Sequence, residues 1–252
     1  DLGPIDVSGN IFADALATNG SARPIRLGAD GWIQLRRIEA PAPGCWDYHQ
    51  LTISERGVVV AAVSPAAASY ALGTLAQLVE DDTVPLATVE DWSDFRYRAL
   101  HLIACDADAL RVQSSFIRRI MVPLRYNQAL LYCPFVRWPS QPAIHHPQGM
   151  PYADFTALVA FAEERLITAI PQLAAYGHSD WLFRNQANLD LAEDPATPYA
   201  YDVSNPRTWE VMRGVLDDVR AAAPKAPWIH IGHDEVTMRG RYPNRPANLG
   251  KI

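Results

Sequence analysis

Apolar and polar positions change rhythm partway along this chain. In YHQLTIS, residues 48 to 54, apolar or aromatic residues alternate with polar ones, and GVVVAAV, residues 57 to 63, is a β-branched run. A period of two fits a half-buried strand, and the ERG between the two runs reads as a hairpin turn. Ser64 followed by Pro65 then opens a helix, the serine as N-cap and the proline at the first helical position. Ala67, Ala71, Leu75, Leu78 and Val79 recur at helical spacing behind it. Residues 1–90 are therefore expected to form a small α+β domain, a sheet covered by one helix. The acidic, turn-rich stretch EDDTVPLATVEDWSD, residues 80 to 94, is the expected boundary.

Past that boundary, strand and helix patterns take turns over residues 91–252. YRALHLIAC (97 to 105) reads as a strand, and residues 109 to 122 as a helix with Leu110, Ile117, Ile120 and Met121 on one face. NQALLYCPF (127 to 135) reads as the second strand, followed by a loop rich in Pro and His from Trp138 to Pro151. Phe155, Leu158, Val159 and Ala162 mark the next helix, and LITAIPQLAAYGHS (166 to 179) contains the third strand. A long polar loop leads to a helix starting at Asn205-Pro206, with Trp209, Met212, Leu216 and Val219 expected on its inner face, and PWIHIGHDE is the fourth strand. This alternation implies parallel strands joined by crossover helices, an α/β fold. There is no internal repeat and no low-complexity segment.

Composition sharpens the picture only in part. The 252 residues allow one large domain or two ordinary ones, and 49% hydrophobic against 20% charged residues suffices for a sizeable core. The net charge of -6 comes with mixed acidic and basic residues and no basic stripe, so no nucleic-acid partner is expected. No apolar run approaches the roughly 18 residues of a membrane helix. The first residues lack a charged-then-apolar leader pattern, and Asp1 fits a mature N-terminus equally well. Cys45, Cys105 and Cys133 are far apart without metal-type spacing, and three thiols cannot all pair within one chain.

The candidate chemistry lies in WIHIGHDEVT, residues 228 to 237, where an apolar strand ends in His230, His233, Asp234 and Glu235. The third strand likewise runs into Gly177 and His178. Parallel α/β folds build their sites at the carboxyl ends of strands. Adjacent residues of a regular strand face opposite ways, so Asp234 and Glu235 can share a pocket only if the strand ends or kinks near Gly232. Two carboxylates in one shelter push each other's proton affinities apart, and the one kept protonated can act as a general acid, the chemistry of glycoside cleavage.

HIGHDEV resembles the His-x-Gly-Gly-Asp-Glu signature of glycoside hydrolase family 20, the β-N-acetylhexosaminidases. YHQLTISERGVVVAAVSPAAASYALGTLAQLV is similar to the small domain that precedes the barrel in that family, and DFRYRALHL to the start of its first barrel strand. GHS resembles the end of its third strand, and SNPRTWEVMRGVLDDV the helix before its fourth. The resemblance implies a (β/α)8 TIM-type barrel of which only about four βα units are present. It implies substrate-assisted hydrolysis of a terminal β-linked N-acetylhexosamine with retention, Asp234 orienting the 2-acetamido group and Glu235 serving as general acid/base. Arg98 would hold the outer sugar hydroxyls, and His178 and His230 would support the pocket; His233, beside the acid pair, is a further candidate for contacting the substrate. No metal or organic cofactor is implied, the partner is a glycan or amino sugar, and an extracellular or periplasmic location follows from the resemblance alone.

The sequence departs from that pattern at several points. His233 stands where the signature has its second Gly. Ile103 and Asp106 stand near the places of an Asp and an Arg, and Gln172, Ala174 and Tyr176 stand where the third strand usually carries Glu, Asp and Pro. LLYCPFVRW lacks the His and Asp that usually end the second strand. These departures leave open a carbohydrate-binding relative without catalysis, or a glycosidase of altered sugar specificity. A half-barrel also exposes strand edges. Those edges are expected to be covered by a C-terminal half of a longer chain or by another copy in a homo-oligomer, with a reduced barrel as the remaining alternative.

Overall fold

A computed structural model describes residues 33–80, 83–236, 243 and 245–249. The first 32 residues of the expected small domain lie outside the described residues. The chain divides into two compact units.

The first unit is built on a four-stranded sheet of β1 (Ile33–Arg37), β2 (Trp46–Ser54), β3 (Gly57–Ala62) and β4 (Ala87–Ser93), in the order β1-β3-β2-β4. β2 and β3 are antiparallel and joined through Glu55 and Arg56, so the expected hairpin is present, while β1 runs parallel to β3. Helix α1 (Pro65–Leu78) covers the sheet, and the Ser64 side chain accepts from the Ala67 N–H at 3.1 Å as its N-cap. Leu51, Val60, Ala67, Ala71, Leu72 and Leu75 form the core between helix and sheet. Each fully buried Leu or Val there contributes about 1.5–3 kcal/mol.

Part of the expected boundary segment is itself a strand. Residues 87 to 93 pair with β2 as an antiparallel edge strand. Its acidic residues mask a period-two pattern, in which Ala87 and Val89 pack on the core while Thr88 and Glu90 face outward. This unit also takes in residues 116–127, where Arg125 reaches Asp91 and donates to the Thr74 hydroxyl at 2.7 Å.

The second unit holds β5 (Ala99–Ile103), β6 (Gln128–Tyr132), β7 (Thr168–Ala175) and β8 (His230–Gly232), in sequential order and all parallel. Helix α2 (Ala109–Phe116) leaves this unit at its last residue and runs into a π-helical turn, Ile117–Met121, of the first unit, in which the Val122 N–H reaches back five residues to the Ile117 carbonyl at 2.9 Å. The wider turn rotates the expected stripe, so Ile117 and Met121 are buried while Ile120 is exposed. Helix α3 (Tyr152–Glu163) buries Phe155, Leu158, Val159 and Ala162, the face its spacing predicts. Helix α4 (Pro206–Ala222) starts where expected, with the Asn205 side chain accepting from the Arg207 N–H. Its buried stripe is Thr208, Met212, Val215, Val219 and Ala222. Trp209, expected inside, is exposed, because the Asn205-Pro206 start fixes a helix phase that turns position 208 inward instead.

β8 is shorter and more open than its apolar sequence suggests: Trp228 is 50% and Ile231 53% exposed. Along β6, Ala129 and Leu131 are fully buried while Gln128, Leu130 and Tyr132 are half-buried, so the sheet has a well-covered face and an accessible one. Ile103, Tyr132, Gln172 and His230 stand in one register row across the four strands. Trp138 and Trp181 are fully buried and belong to the core. Cys45, Cys105 and Cys133 are all free thiols, and burial pushes Cys105 up to about 12.

Candidate active site

The site sits beyond the carboxyl ends of β7 and β8. β7 ends at Ala175, and the chain turns sharply, with Tyr176 at φ 70° and His178 at φ 55°. The Ala174 carbonyl holds this turn by accepting from the Trp181 indole N–H at 2.7 Å and from the Ser179 hydroxyl at 3.3 Å. β8 ends at Gly232 (φ 69°), and His233 (φ 72°) and Glu235 (φ 47°) also take left-handed backbone. For a non-glycine residue that region costs about 1 kcal/mol or more, and such strain gathers at functional sites. Here it supplies the kink that two adjacent acids need in order to face the same way.

The outcome is a three-residue cluster. His178 Nε2 lies 2.9 Å from Glu235 Oε2 and 3.9 Å from Asp234 Oδ2. With Glu235 ionised Nε2 is the donor of this hydrogen bond, and with Glu235 protonated Nε2 can accept from it. The Asp234 and Glu235 side chains are 63% and 53% exposed, and His178 is 31% exposed.

Two tyrosines fix the cluster from behind. The buried Tyr199 donates its hydroxyl to the Glu235 carbonyl at 3.1 Å, and its ring meets the His178 ring edge-on at 5.3 Å. The Tyr176 ring stacks on His233 at 5.5 Å, with 23° between planes. His233 therefore points to Tyr176 through a stack that a glycine could not make.

The other expected residues have different surroundings. His230 is exposed, and its Nδ1 accepts from the Gly232 N–H at 3.0 Å, which closes the end of β8 on itself. Arg98 belongs to the first unit. Its Nη2 donates to Asp47 at 2.9 Å and to the Tyr70 hydroxyl at 3.1 Å, its Nε to the Arg125 carbonyl at 2.7 Å, and its Nη1 to the Phe95 carbonyl at 2.7 Å. Each of its guanidinium nitrogens already has a protein acceptor.

Tyr132, at the end of β6, carries a phenol pushed up to about 12, first by burial and then by Cys105, Asp180 and Asp234. It stays a neutral donor next to the acids. Among the described residues, His178, Asp234 and Glu235 are also the group that could hold a cation, offering one atom each within 4.8 Å of one another.

Sequence reasoning missed Tyr199 and Tyr132. Tyr199 lies in the long loop between β7 and α4, where no periodicity marks it. The strand pattern of β6 could have flagged Tyr132, because it is the last residue at the strand's carboxyl end.

No protein-family profile matches the chain. The fold is that of solved glycoside hydrolase family 20 structures. A Flavobacterium johnsoniae chitobiase is similar with a TM-score of 0.72 at 18% identity, covering 92% of this chain and 40% of that one. A Streptomyces plicatus N-acetyl-β-hexosaminidase in complex with Thio-NAglucal gives 0.70 at 20% identity, covering 92% and 54%. The β-N-acetylhexosaminidase of Streptomyces coelicolor A3(2) gives 0.70 at 21% identity, covering 90% and 54%. The chain thus spans about half or less of the length of these structures, and at these identities the likeness is one of fold.

Proposed function

We propose that this chain carries the acid/base centre of a glycoside hydrolase that removes terminal β-linked N-acetylhexosamine, with its four parallel strands as the first units of a (β/α)8 barrel. The observation that carries the reading is the meeting of Glu235 and Asp234 at His178 across the ends of two neighbouring strands, 2.9 and 3.9 Å from its Nε2. In this reading Asp234 orients the substrate's 2-acetamido group. The acetamido oxygen attacks the anomeric carbon as Glu235 protonates the leaving oxygen. Glu235 then takes a proton from the water that opens the oxazoline, and the product retains its configuration. His178 and Tyr199 hold Glu235 in place, and His233, stacked on Tyr176, fixes the kink. Arg98, occupied as it is, enters as a residue that braces the first unit and reaches sugar hydroxyls only if its partners release it. The chemistry calls for no metal.

The test is hydrolysis of 4-nitrophenyl N-acetyl-β-glucosaminide and its galacto isomer by the 252-residue chain and by Glu235→Gln. Turnover that disappears in a folded Glu235→Gln protein is the expected result, and undiminished turnover in that variant overturns the reading. A second reading, sugar binding without hydrolysis, is favoured by the openness of the two acids and by the neutral Gln172 on the third strand. Saturable sugar binding without turnover, both in this chain and in a form extended by the remaining strands, would select it.

A further inference from the structure

Gln172 is 9% exposed, and its Oε1 has no hydrogen-bond partner among the described residues. Buried amide oxygens nearly always have a partner, so an orphan calls for an explanation. Gln172 stands in register with Tyr132 on one side and His230 on the other. The pleat puts Gln172 on the same face as Tyr132, the accessible face of the sheet, where His101 and Ile103 are also exposed. Ala174, two residues on and on that same face, presents only a methyl group towards the strand end, beyond which His178 meets Glu235. An acceptor and a donor thus belong to register-paired residues of neighbouring strands whose carboxyl ends lead towards the acid pair, neither with a charge of its own. The Tyr132 phenol remains protonated, as described above.

We infer that Gln172 and Tyr132 form a subsite for one neutral ring hydroxyl of the sugar, which donates to Gln172 Oε1 and accepts from the Tyr132 hydroxyl. The inference rests on the glycosidase reading for the sugar, and adds to it the residues that select among sugars. A hydroxyl does both jobs at one atom. A carboxylate has no proton to donate to the orphan oxygen, and an ammonium cannot accept from the phenol. The subsite therefore favours uncharged sugars over uronic acids and free amino sugars. Such a site rejects an analogue lacking the hydroxyl more strongly than an apolar contact could, because the buried amide is then left unpaired.

The test is direct binding, by titration calorimetry on the full chain, of methyl 1-thio-N-acetyl-β-glucosaminide, which resists hydrolysis, and of its 3-, 4- and 6-deoxy analogues. The proteins are wild type, Gln172→Met and Tyr132→Phe, with thermal unfolding of each as the check on folding. One deoxy analogue is expected to bind wild type about tenfold more weakly than the parent, and to bind Gln172→Met no more weakly than the parent does. Gln172→Met should itself bind the parent about tenfold more weakly while unfolding at the same temperature or higher, since it removes an unpaired buried oxygen. That split between affinity and stability separates a binding role from a packing role. Equal affinity of wild type and Gln172→Met for every analogue overturns the inference, as does absence of binding by folded wild type. Hydrolysis is scored separately: binding that depends on Gln172 in a chain without turnover retains the subsite and discards the catalytic reading.

Discussion

Gly177 lies directly against the backbone of Asp234: a Cβ at position 177 would stand 2.0 Å from the Asp234 carbonyl oxygen and 3.3 Å from the Val236 nitrogen. The end of β7 thus accepts the acid loop only because position 177 has no side chain. Gly177→Ala has to displace the acid loop or the turn that carries His178. We expect a loss of about 1–3 kcal/mol in unfolding free energy, with hydrolysis falling much further, since a misplacement of 1 Å suffices to lose about a hundredfold. Urea unfolding and the aryl-glycoside assay check both, and an active, stable Gly177→Ala protein would contradict the packing.

His178 is the only described side chain shown hydrogen-bonded to the Glu235 carboxylate, at 2.9 Å. His178→Ala should lower kcat by about a hundredfold, at the low end of the range for a positioned proton-transfer group, with little change in unfolding temperature because the ring is part-exposed. Retention of full kcat in this variant would remove His178 from the proposed machinery.

Arg98 separates a structural from a sugar-binding role. Its three nitrogens serve Asp47, Tyr70, Phe95 and Arg125 at 2.7–3.1 Å, and an ammonium cannot reproduce that fork. Arg98→Lys is expected to lose about 1–3 kcal/mol of stability, with sugar affinity unchanged. Unchanged urea unfolding together with weakened sugar binding would reverse the assignment.

Acid should weaken the fold in two steps. Burial holds the His49 imidazole below its ordinary 6.5, aided by the Arg125 charge and opposed by the Asp47 carbonyl and Asp91. The unfolded chain therefore binds this proton first, and the stability present above pH 6.5 is lost as pH falls through the folded value. At Asp202 burial acts upward, but hydrogen bonds from Ser204 and Asn248 and the Arg245 charge outweigh it and hold the carboxyl below 3.8. Its contribution is present above that value and is lost as pH falls below it. Thermal unfolding from pH 8 to pH 3 should show both declines, with His49→Gln flattening the upper one and Arg245→Met reducing the lower one. A melting temperature constant across that range would contradict both.

Where local chemistry governed an element, it could be read from sequence. Ser64 caps its helix as predicted, the helix expected at Asn205-Pro206 starts there, and Phe155, Leu158, Val159 and Ala162 are all buried. Where tertiary pairing governed, it could not. β4 owes its existence to β2 beside it, and its acids read as a linker. The acid pair and His178 were legible as residue types at strand ends. The left-handed backbone at His233 and Glu235 was not, because only glycine advertises such conformations in sequence. Tyr199 reaches Glu235 from 36 residues away, and no spacing rule spans that distance.

The π turn at Ile117–Met121 also says something about the chain's tolerance of length change. A five-residue turn is how a helix absorbs one residue more than its α-helical path can hold. Helix α2 thus carries a spare codon's worth of backbone. Removing one residue between Ile117 and Met121 should convert the stretch to regular α-helix, with both ends still anchored. The same deletion inside α3, where Phe155, Leu158, Val159 and Ala162 face the core, would rotate half the helix out of phase. Between this π turn and α3, the π turn is where the gene can lose a triplet at less cost to the fold.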